Sequence, residues 1–457
     1  MARPITKLLV ANRGEIAIRV FRAATELRIK TVAIYTHEDR FSLHRYKADQ
    51  AFQIGANDDP LKPYLDIQGI IDIAVKEGVD AIHPGYGFLS ENPDFARACE
   101  AANIIWIGPS PTAMEQLGDK LKAKKAAIKS NVPIVKASPE PLDTVEQVKK
   151  YAAEIGFPIM VKAATGGGGR GMRVVHDEAS LATLYTEASR EAMTAFGNGS
   201  VFVEKYINDP KHIEVQILGD SHGNLVHLFE RDCSVQRRFQ KVVEVAPAIG
   251  LRQETKEALH RHAVAICSSV GYVNAGTVEF LVDKHRDFYF MEMNTRIQVE
   301  HTVTEEVIDH DLIKEQIKIA AGEKIGKKNY EPMRHAIECR INAEDIYNNF
   351  RPTPGKITSF HSPKGHGVRV DTHVYSGYTV SPYYDSMIAK LITRAQTREE
   401  CIKKMQRALN EFIIEGLKTT VPIHQKIMSD ENFQKGDFNT GFLNDFDFGT
   451  EGDTKKK

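Results

Sequence analysis

The sequence predicts an α/β fold that changes character along the chain: a doubly wound unit first, an antiparallel centre next, and an α+β unit to close. Three observations predict it. Short apolar strand patterns alternate with helical ones over 5–115, which argues for a parallel sheet covered by helices. Period-two alternation takes over at 212–218, 225–229 and 277–281. Strand-like runs at 337–341 and 387–392, followed by an amphipathic helix over 398–412, fill 335–445.

In order, Lys7-Leu8-Leu9-Val10-Ala11 reads as a buried strand and Asn12-Arg13-Gly14 as the turn into a helix over 15–27. Strands follow at 31–35, 81–83 and 104–107, with a helix over 67–76 whose Ile67, Ile70, Ile71 and Ala74 share a face. Asn12-Arg13-Gly14-Glu15 is either an anion-facing turn or simply a tight one, since no GxGxxG stands there. His83-Pro84-Gly85-Tyr86-Gly87-Phe88 is a turn-rich loop at the carboxyl end of a strand, where such sheets place ligands.

Pro133, Pro139 and Pro141 mark a boundary. Beyond it, Pro158-Ile159-Met160-Val161-Lys162 is a strand ending in lysine, followed by Gly166-Gly167-Gly168-Gly169-Arg170-Gly171 and another strand. No helix opens after the glycines, so this is not a Walker P-loop. It is either a long hairpin turn or a phosphate-wrapping flap. Four consecutive glycines cost conformational entropy that an ordinary turn does not require, which favours the flap. Lys162 and Lys120 are candidate point charges for the same phosphates, or solvated surface lysines. Residues 201–207 form a further strand, with a polar end at Glu204-Lys205.

The densest chemistry lies in Glu292-Met293-Asn294-Thr295-Arg296-Ile297-Gln298-Val299-Glu300-His301, after the aromatic strand 288–291. If the chain stays extended, Glu292, Asn294, Arg296, Gln298 and Glu300 point one way and Met293, Thr295, Ile297 and Val299 the other. That is either a solvated strand face or an array suited to metal, anion and proton transfer. A hairpin through 283–287 sets Glu279 across from Glu292, with Asn294 one pleat further on. Facing carboxylates repel, and either Mg²⁺ or salt bridges to nearby Arg and Lys resolve the repulsion. The basic run 231–241 reads by default as a solvated face, unless Lys241 comes near Arg296. An amphipathic helix is expected over 257–270. Residues 428–432 and beyond look peripheral, and 447–457, ending in three lysines, reads as a disordered tail.

Composition excludes more than it selects. Lys+Arg total 60 against 61 for Asp+Glu, so no global charge argues for nucleic acid or a membrane surface, and any anion site is local. Five cysteines with no CxxC pair suggest neither a disulfide framework nor zinc, but buried thiols in a reducing compartment. No apolar run reaches membrane-spanning length and none makes a signal segment, so the expected location is cytoplasmic.

Taken together, these motifs resemble the biotin carboxylase family of ATP-grasp enzymes. The matching text is Ala11-Asn12-Arg13-Gly14-Glu15-Ile16-Ala17, residues 83–92, Gly118-Asp119-Lys120, 166–172, 230–241, 292–300, 338–345 and Tyr383-Tyr384-Asp385-Ser386-Met387. The resemblance runs from about Ile5 to about Phe446. It implies a Rossmann-like N-terminal domain (1–118), an ATP-grasp domain (119–330) with a mobile lid at 134–206, and a C-terminal α+β domain (335–446). It implies ATP held by Lys120, Lys162, Gly168, Gly169, Glu204, Lys205, Tyr206, Ile207, His212 and Gln236, with Glu279 and Glu292 toward the metal nucleotide. Glu279, Glu292 and Asn294 would hold Mg²⁺ or Mn²⁺. Lys241, Arg296, Gln298 and Val299 would place bicarbonate, with Arg340 facing the ureido ring of biotin. One departure is Phe239, where the family usually has a histidine near the nucleotide.

The implied catalytic groups are Arg296, Glu300, Lys241 and Arg340. The implied activity is that of an ATP-dependent ligase: Glu300 deprotonates bicarbonate, carboxyphosphate forms, and biotin is carboxylated. No Met-Lys-Met biotinylation site occurs, so the expectation is a separate component, or an excised domain, working with a biotin carrier protein and a carboxyltransferase. The N-terminal third reads closest to pyruvate carboxylases and the C-terminal third closer to acetyl-CoA carboxylase subunits, which leaves the final acceptor open. A homodimer is expected by analogy. Two rivals stand beside this reading. One is another ATP-grasp ligase coupling an acyl phosphate to an amine, which Gln298-Val299-Glu300 disfavours. The other is a non-enzymatic paralogue, which would have lost some of Lys120, Lys162, Glu279, Glu292, Arg296 and Glu300.

Overall fold

A computed structural model describes residues 3–164, 172–326 and 330–450. The N-terminal unit is a parallel five-stranded sheet in the order Gln50–Gln53, Lys30–Tyr35, Lys7–Val10, Ala81–His83, Ile105–Trp106. The strand order reverses beside Lys7–Val10, so the loops after it and after Ala81–His83 open into the crevice where such sheets bind ligands. Asn12 Nδ2 ties these loops together, donating to the carbonyls of Pro84 and Tyr86 at 2.8 Å each. The turn before the helix Gly14–Glu26 is tight: Gly14 has φ +66°, a conformation glycine adopts without strain. Arg13 beside it is committed to Asp39 through two hydrogen bonds, at 2.6 and 2.7 Å. This favours the tight-turn reading over an anion site.

Residues 134–206 make a small layered unit. A three-stranded antiparallel sheet, ordered Met172–Val175, Ile159–Ala163, Val201–Lys205, is packed by the helices Val145–Ile155 and Glu178–Phe196. Thr144 and Gln147 close a reciprocal capping box at the first helix, satisfying amide groups that its amino end would leave bare. The glycine run that joins two of these strands lies outside the described residues, as do the last residues of the expected tail.

The centre is one antiparallel eight-stranded sheet. Its order is Phe288–Asn294, Asn274–Val282, Lys211–Gly219, Leu225–Arg237, Gln240–Ala246, His335–Asn342, Met387–Ala395, Val368–Thr372. The sheet continues across position 335, because Gln240–Ala246 offers an edge that His335–Asn342 pairs along four registered residues. Val235, Val243 and Val245 share one apolar core with Ile337, Ile341 and Leu391. The reading of 428–432 as peripheral is wrong. Met428 and Phe433 are fully buried, and Phe433 stacks on Phe438 with 5.3 Å between ring centroids. The five cysteines are free and buried. No helix among the described residues is long and apolar enough to cross a membrane.

Candidate active site

The central hairpin sets Glu279 directly opposite Glu292 and Thr277 opposite Asn294, with a bulge after Glu279. Burial pushes the Glu292 carboxyl up, and the Glu279 charge across the ladder adds to that. Lys120, first residue of the helix Lys120–Lys129, is the nearest cation, 3.7 Å from Glu292 Oε2. Glu279 Oε1 collects donors from Asn294 Nδ2 at 2.7 Å, Gln298 Nε2 at 2.8 Å and Lys241 Nζ at 3.2 Å. His212, Glu214 and Glu279 offer possible metal-ligand atoms within 4.8 Å of one another.

Expected extended geometry fails beyond Asn294. The strand ends there, 295–300 form a turn, and a helix starts at His301. The polar groups nevertheless converge, because the turn curls them around Glu279. Thr295 and Ile297 are buried as well, and Thr295 bonds the same Glu91 carboxylate as Arg296. Arg296 Nη2 donates to Asn294 Oδ1 at 2.9 Å, while its Nε donates to Glu91 Oε2 at 2.9 Å. Lys241 Nζ lies 2.7 Å from Glu300 Oε1, and Arg340 Nη2 lies 2.9 Å from Glu300 Oε2. Burial alone would raise the Glu300 carboxyl, but Lys241 and then Arg340 hold it below the ordinary range. Val299 contributes its carbonyl to buried Lys390, at 2.9 Å.

Sequence reasoning missed three acids or bases here. Arg231 is not part of a solvated run but fully buried, donating to Gln216, Thr304 and Gln298 at 2.8, 2.9 and 2.6 Å and reaching Glu214 at 3.3 Å. It holds Gln298 in place from behind. Glu214, also fully buried, hydrogen-bonds Lys241 and sits 3.3 Å from His212. The signal was present: His212, Glu214 and Gln216 alternate with Ile213, Val215 and Ile217, a polar stripe on a central strand with both faces covered. Glu91, which orients Arg296 and accepts from the Thr295 amide at 3.0 Å, carries no local signal at all.

The expected nucleotide residues flank this cluster. Glu204 is bracketed by Lys162, at 2.5 Å, and Lys124; against the pull of burial they hold its carboxyl down to about 2. Lys205 is spent locally, its Nζ donating to the carbonyls of Gly156 and Phe157, and the Tyr206 amide bonds the Pro158 carbonyl. Ile207 follows, half-buried, at the junction with the central sheet. His212 Nε2 lies 2.9 Å from Glu279, and Gln236 Nε2 is 2.9 Å from His212 Nδ1. Burial works against charge on His212, but Glu279 and Glu214 lift it to about 9. Gly168 and Gly169 lie outside the described residues. Phe239 is exposed at the tip of the two-residue turn Arg238-Phe239, where both φ values are positive, as a primed hairpin turn demands.

A cavity of about 200 Å³ opens between Glu91, Lys120, Glu292 and Asn294. Lysines toward a small three-stranded layer, paired acids on a central hairpin and a cation–acid cluster beyond them define an ATP-grasp enzyme. Family models match in three consecutive stretches: the N-terminal domain of biotin carboxylase at 4–114, the carbamoyl-phosphate synthase L chain ATP-binding domain at 119–328, and the biotin carboxylase C-terminal domain at 338–445. Biotin carboxylase 1 of Bacillus subtilis is 50% identical over 448 residues, covering 97% of this chain and 99% of that protein. Pyruvate carboxylase of the same organism is also 50% identical over 448 residues, covering 96% of this chain; the chain spans 39% of that relative's length. Among solved structures, the biotin carboxylase domain dimer of Hydrogenobacter thermophilus 2-oxoglutarate carboxylase, in complex with MgADP, ADP and bicarbonate, superimposes with a TM-score of 0.93. It is 47% identical, covering 96% of this chain and 97% of that one. The chain belongs to the biotin carboxylase family and is an ATP-dependent ligase.

Proposed function

We propose that this protein carboxylates biotin presented by a carrier protein, using ATP and bicarbonate, as the first half-reaction of a larger carboxylase. The observation that carries the reading is the single cluster in which Glu300 meets both Lys241 and Arg340, at 2.7 and 2.9 Å, beside the Glu279–Glu292 pair.

Bicarbonate enters against Arg296 and Lys241, with Gln298 and Val299 shaping its seat. Its negative charge draws Lys241 and Arg340 from Glu300, whose carboxyl then rises toward the range where a base works well near neutrality. Glu300 takes the bicarbonate proton, and the freed oxyanion attacks the γ-phosphorus of ATP. The β–γ bridging oxygen leaves with ADP, giving carboxyphosphate. Lys120, Lys162 and His212 hold the phosphates, and the 134–206 unit closes over them to keep out water, which would hydrolyse the intermediate. The facing acids Glu279 and Glu292, with the Asn294 carboxamide, suit Mg²⁺ or Mn²⁺: hard oxygen donors, one of them pushed up by burial and by the charge of the other. Such an ion supplies charge neutralisation at the phosphates. Carboxyphosphate breaks at its C–O bond to CO₂ and phosphate. That phosphate accepts the ureido N–H proton, Arg340 stabilises the ureido oxygen, and the nitrogen bonds CO₂.

The partners are a biotinylated carrier and a carboxyltransferase, and the assembly is a homodimer. Support comes from the relatives: the Hydrogenobacter domain is a dimer holding MgADP and bicarbonate. The test is ADP formation with ATP, Mg²⁺ and bicarbonate, with and without free biotin. Bicarbonate-dependent turnover stimulated by biotin supports the reading; stimulation by an amine instead would replace it with the other ligase class.

A further inference from the structure

Behind Arg340 lies a second group of acids that the reaction above does not use. Strands Gln240–Ala246 and His335–Asn342 are antiparallel neighbours, and their register sets Glu244 directly opposite Glu338. Directly opposed residues have Cβ atoms about 5 Å apart and share a face. Both side chains are fully buried. Arg340 stands two residues along from Glu338 on that same face, with Lys390 opposite it on the next strand.

The partners of the two acids differ. Glu244 Oε1 accepts Arg340 Nε at 2.5 Å, whereas Glu338 Oε2 accepts only the neutral hydroxyl of Thr302. Their other oxygens, Glu244 Oε2 and Glu338 Oε1, are buried with no hydrogen-bond partner among the described residues. Two opposed carboxylates, each with one bare buried oxygen, cannot both stay ionised at reasonable cost. The cations nearby are already engaged: Lys390 with Glu15 at 3.1 Å and with the Val299 carbonyl, Lys241 with Glu300 and Glu279. The other titratable groups around the pair are Glu300, which adds negative charge, the thiols of Cys233 and Cys339, and the phenol of Tyr86, all three pushed up by burial.

We propose that Glu244 and Glu338 hold one proton between them at neutral pH, resting chiefly on Glu338, and that ionised Glu244 is the positioning residue that aims Arg340 at Glu300 and the biotin ring. The proposal rests on the biotin-carboxylation reading for its second half only. Burial pushes Glu338 up to about 8 despite Lys390, and Glu244 up to about 7 despite Arg340. Loss of the shared proton would put a second buried negative charge beside Arg340 and draw the guanidinium back from the reacting groups.

Two measurements test it. Infrared spectroscopy of the unmodified protein should show a protonated-carboxyl carbonyl band that persists at neutral pH and fades as pH rises through about 8. Absence of that band at neutral pH overturns the proposal, whatever the variants do. In the biotin-stimulated assay, the alkaline limb of the pH–rate profile should follow the band. Glu338→Gln should move that limb up by about one pH unit or more, relative to the variant's own neutral rate. A limb that stays in place belongs to another group, such as His212, and also overturns the proposal. Glu244→Gln should lower the biotin-stimulated rate about tenfold or more while sparing nucleotide KM, with Glu244→Asp recovering part of the loss. Equal loss in both parameters would mark Glu244 as merely structural. If biotin never stimulates ADP release at any pH, the functional reading fails, and the infrared band, which Glu338→Gln should remove and Glu292→Gln should leave, still decides the proton.

Discussion

Arg13 meets Asp39 through two parallel hydrogen bonds, Tyr64 donates its hydroxyl to the same carboxylate at 2.7 Å, and the Tyr384 ring lies 3.6 Å from the guanidinium carbon. Tyr384 also donates to the Pro60 carbonyl at 2.8 Å, so this balanced cluster fastens the 382–386 turn to the N-terminal sheet. Lys241, by contrast, stands among Glu214, Glu279 and Glu300, with Glu292 beyond them served only by a distant lysine. Charge and countercharge pair off closely in the first cluster; in the second, one lysine is shared among three acids and Glu292 has no cation nearer than Lys120 at 3.7 Å. A buried acid without a close partner destabilises the protein, and a divalent cation arriving with the nucleotide would relieve it.

The largest effect should come from the unbalanced side. Glu300→Gln removes the proposed base and should lower bicarbonate-dependent ADP release by about 10²–10⁴-fold while nucleotide binding, read by calorimetry, persists. Retained turnover would reassign the base. On the balanced side, Asp39→Ala strands Arg13 in the interior and should cost about 3–5 kcal/mol in denaturant unfolding. The pH behaviour of the two clusters has opposite sign. Arg13, working against burial, holds the Asp39 carboxyl well below its usual range, so its contribution is present above about pH 4 and lost as pH falls. Glu244 and Glu338 are raised, so they favour the fold at low pH and lose that contribution as pH rises through about 7 and about 8.

Next in size is the response to a divalent cation. Mg²⁺ at about one hundred times its Kd should stabilise the protein by about 2.7 kcal/mol, and Glu292→Gln should abolish most of that gain while raising the stability of the metal-free protein. An equal response in both forms would move the ion elsewhere. The smallest change is at the hairpin tip: Phe239→His restores the residue the family usually carries, adds at most one hydrogen bond, and should lower nucleotide KM by less than about tenfold. Because Phe239 is exposed, its replacement should leave unfolding within about 0.5 kcal/mol.

Much of this is legible in the amino-acid sequence. The facing of Glu279 and Glu292 follows from a two-residue period and a short turn, and the structure has that register. The helix Ile67–Lys76 and strand Ala81–His83 have the expected bounds. What the sequence concealed is long-range. Glu91 reaches Arg296 from over two hundred positions away, and Arg231 looks like part of a surface run until the sheet closes around it. The alternation through Glu300 misled because it assumed an extended chain, where a turn does the gathering. The core around Met428 and Phe433 was invisible because its apolar residues come from short helices with too few turns to show a period.

The most direct test of the central claim is ADP release from ATP and Mg²⁺, measured with and without bicarbonate and free biotin. Turnover that requires bicarbonate and rises with biotin is the predicted result. Turnover indifferent to bicarbonate would contradict it, since the meeting of Lys241, Glu300 and Arg340 would then serve some other anion.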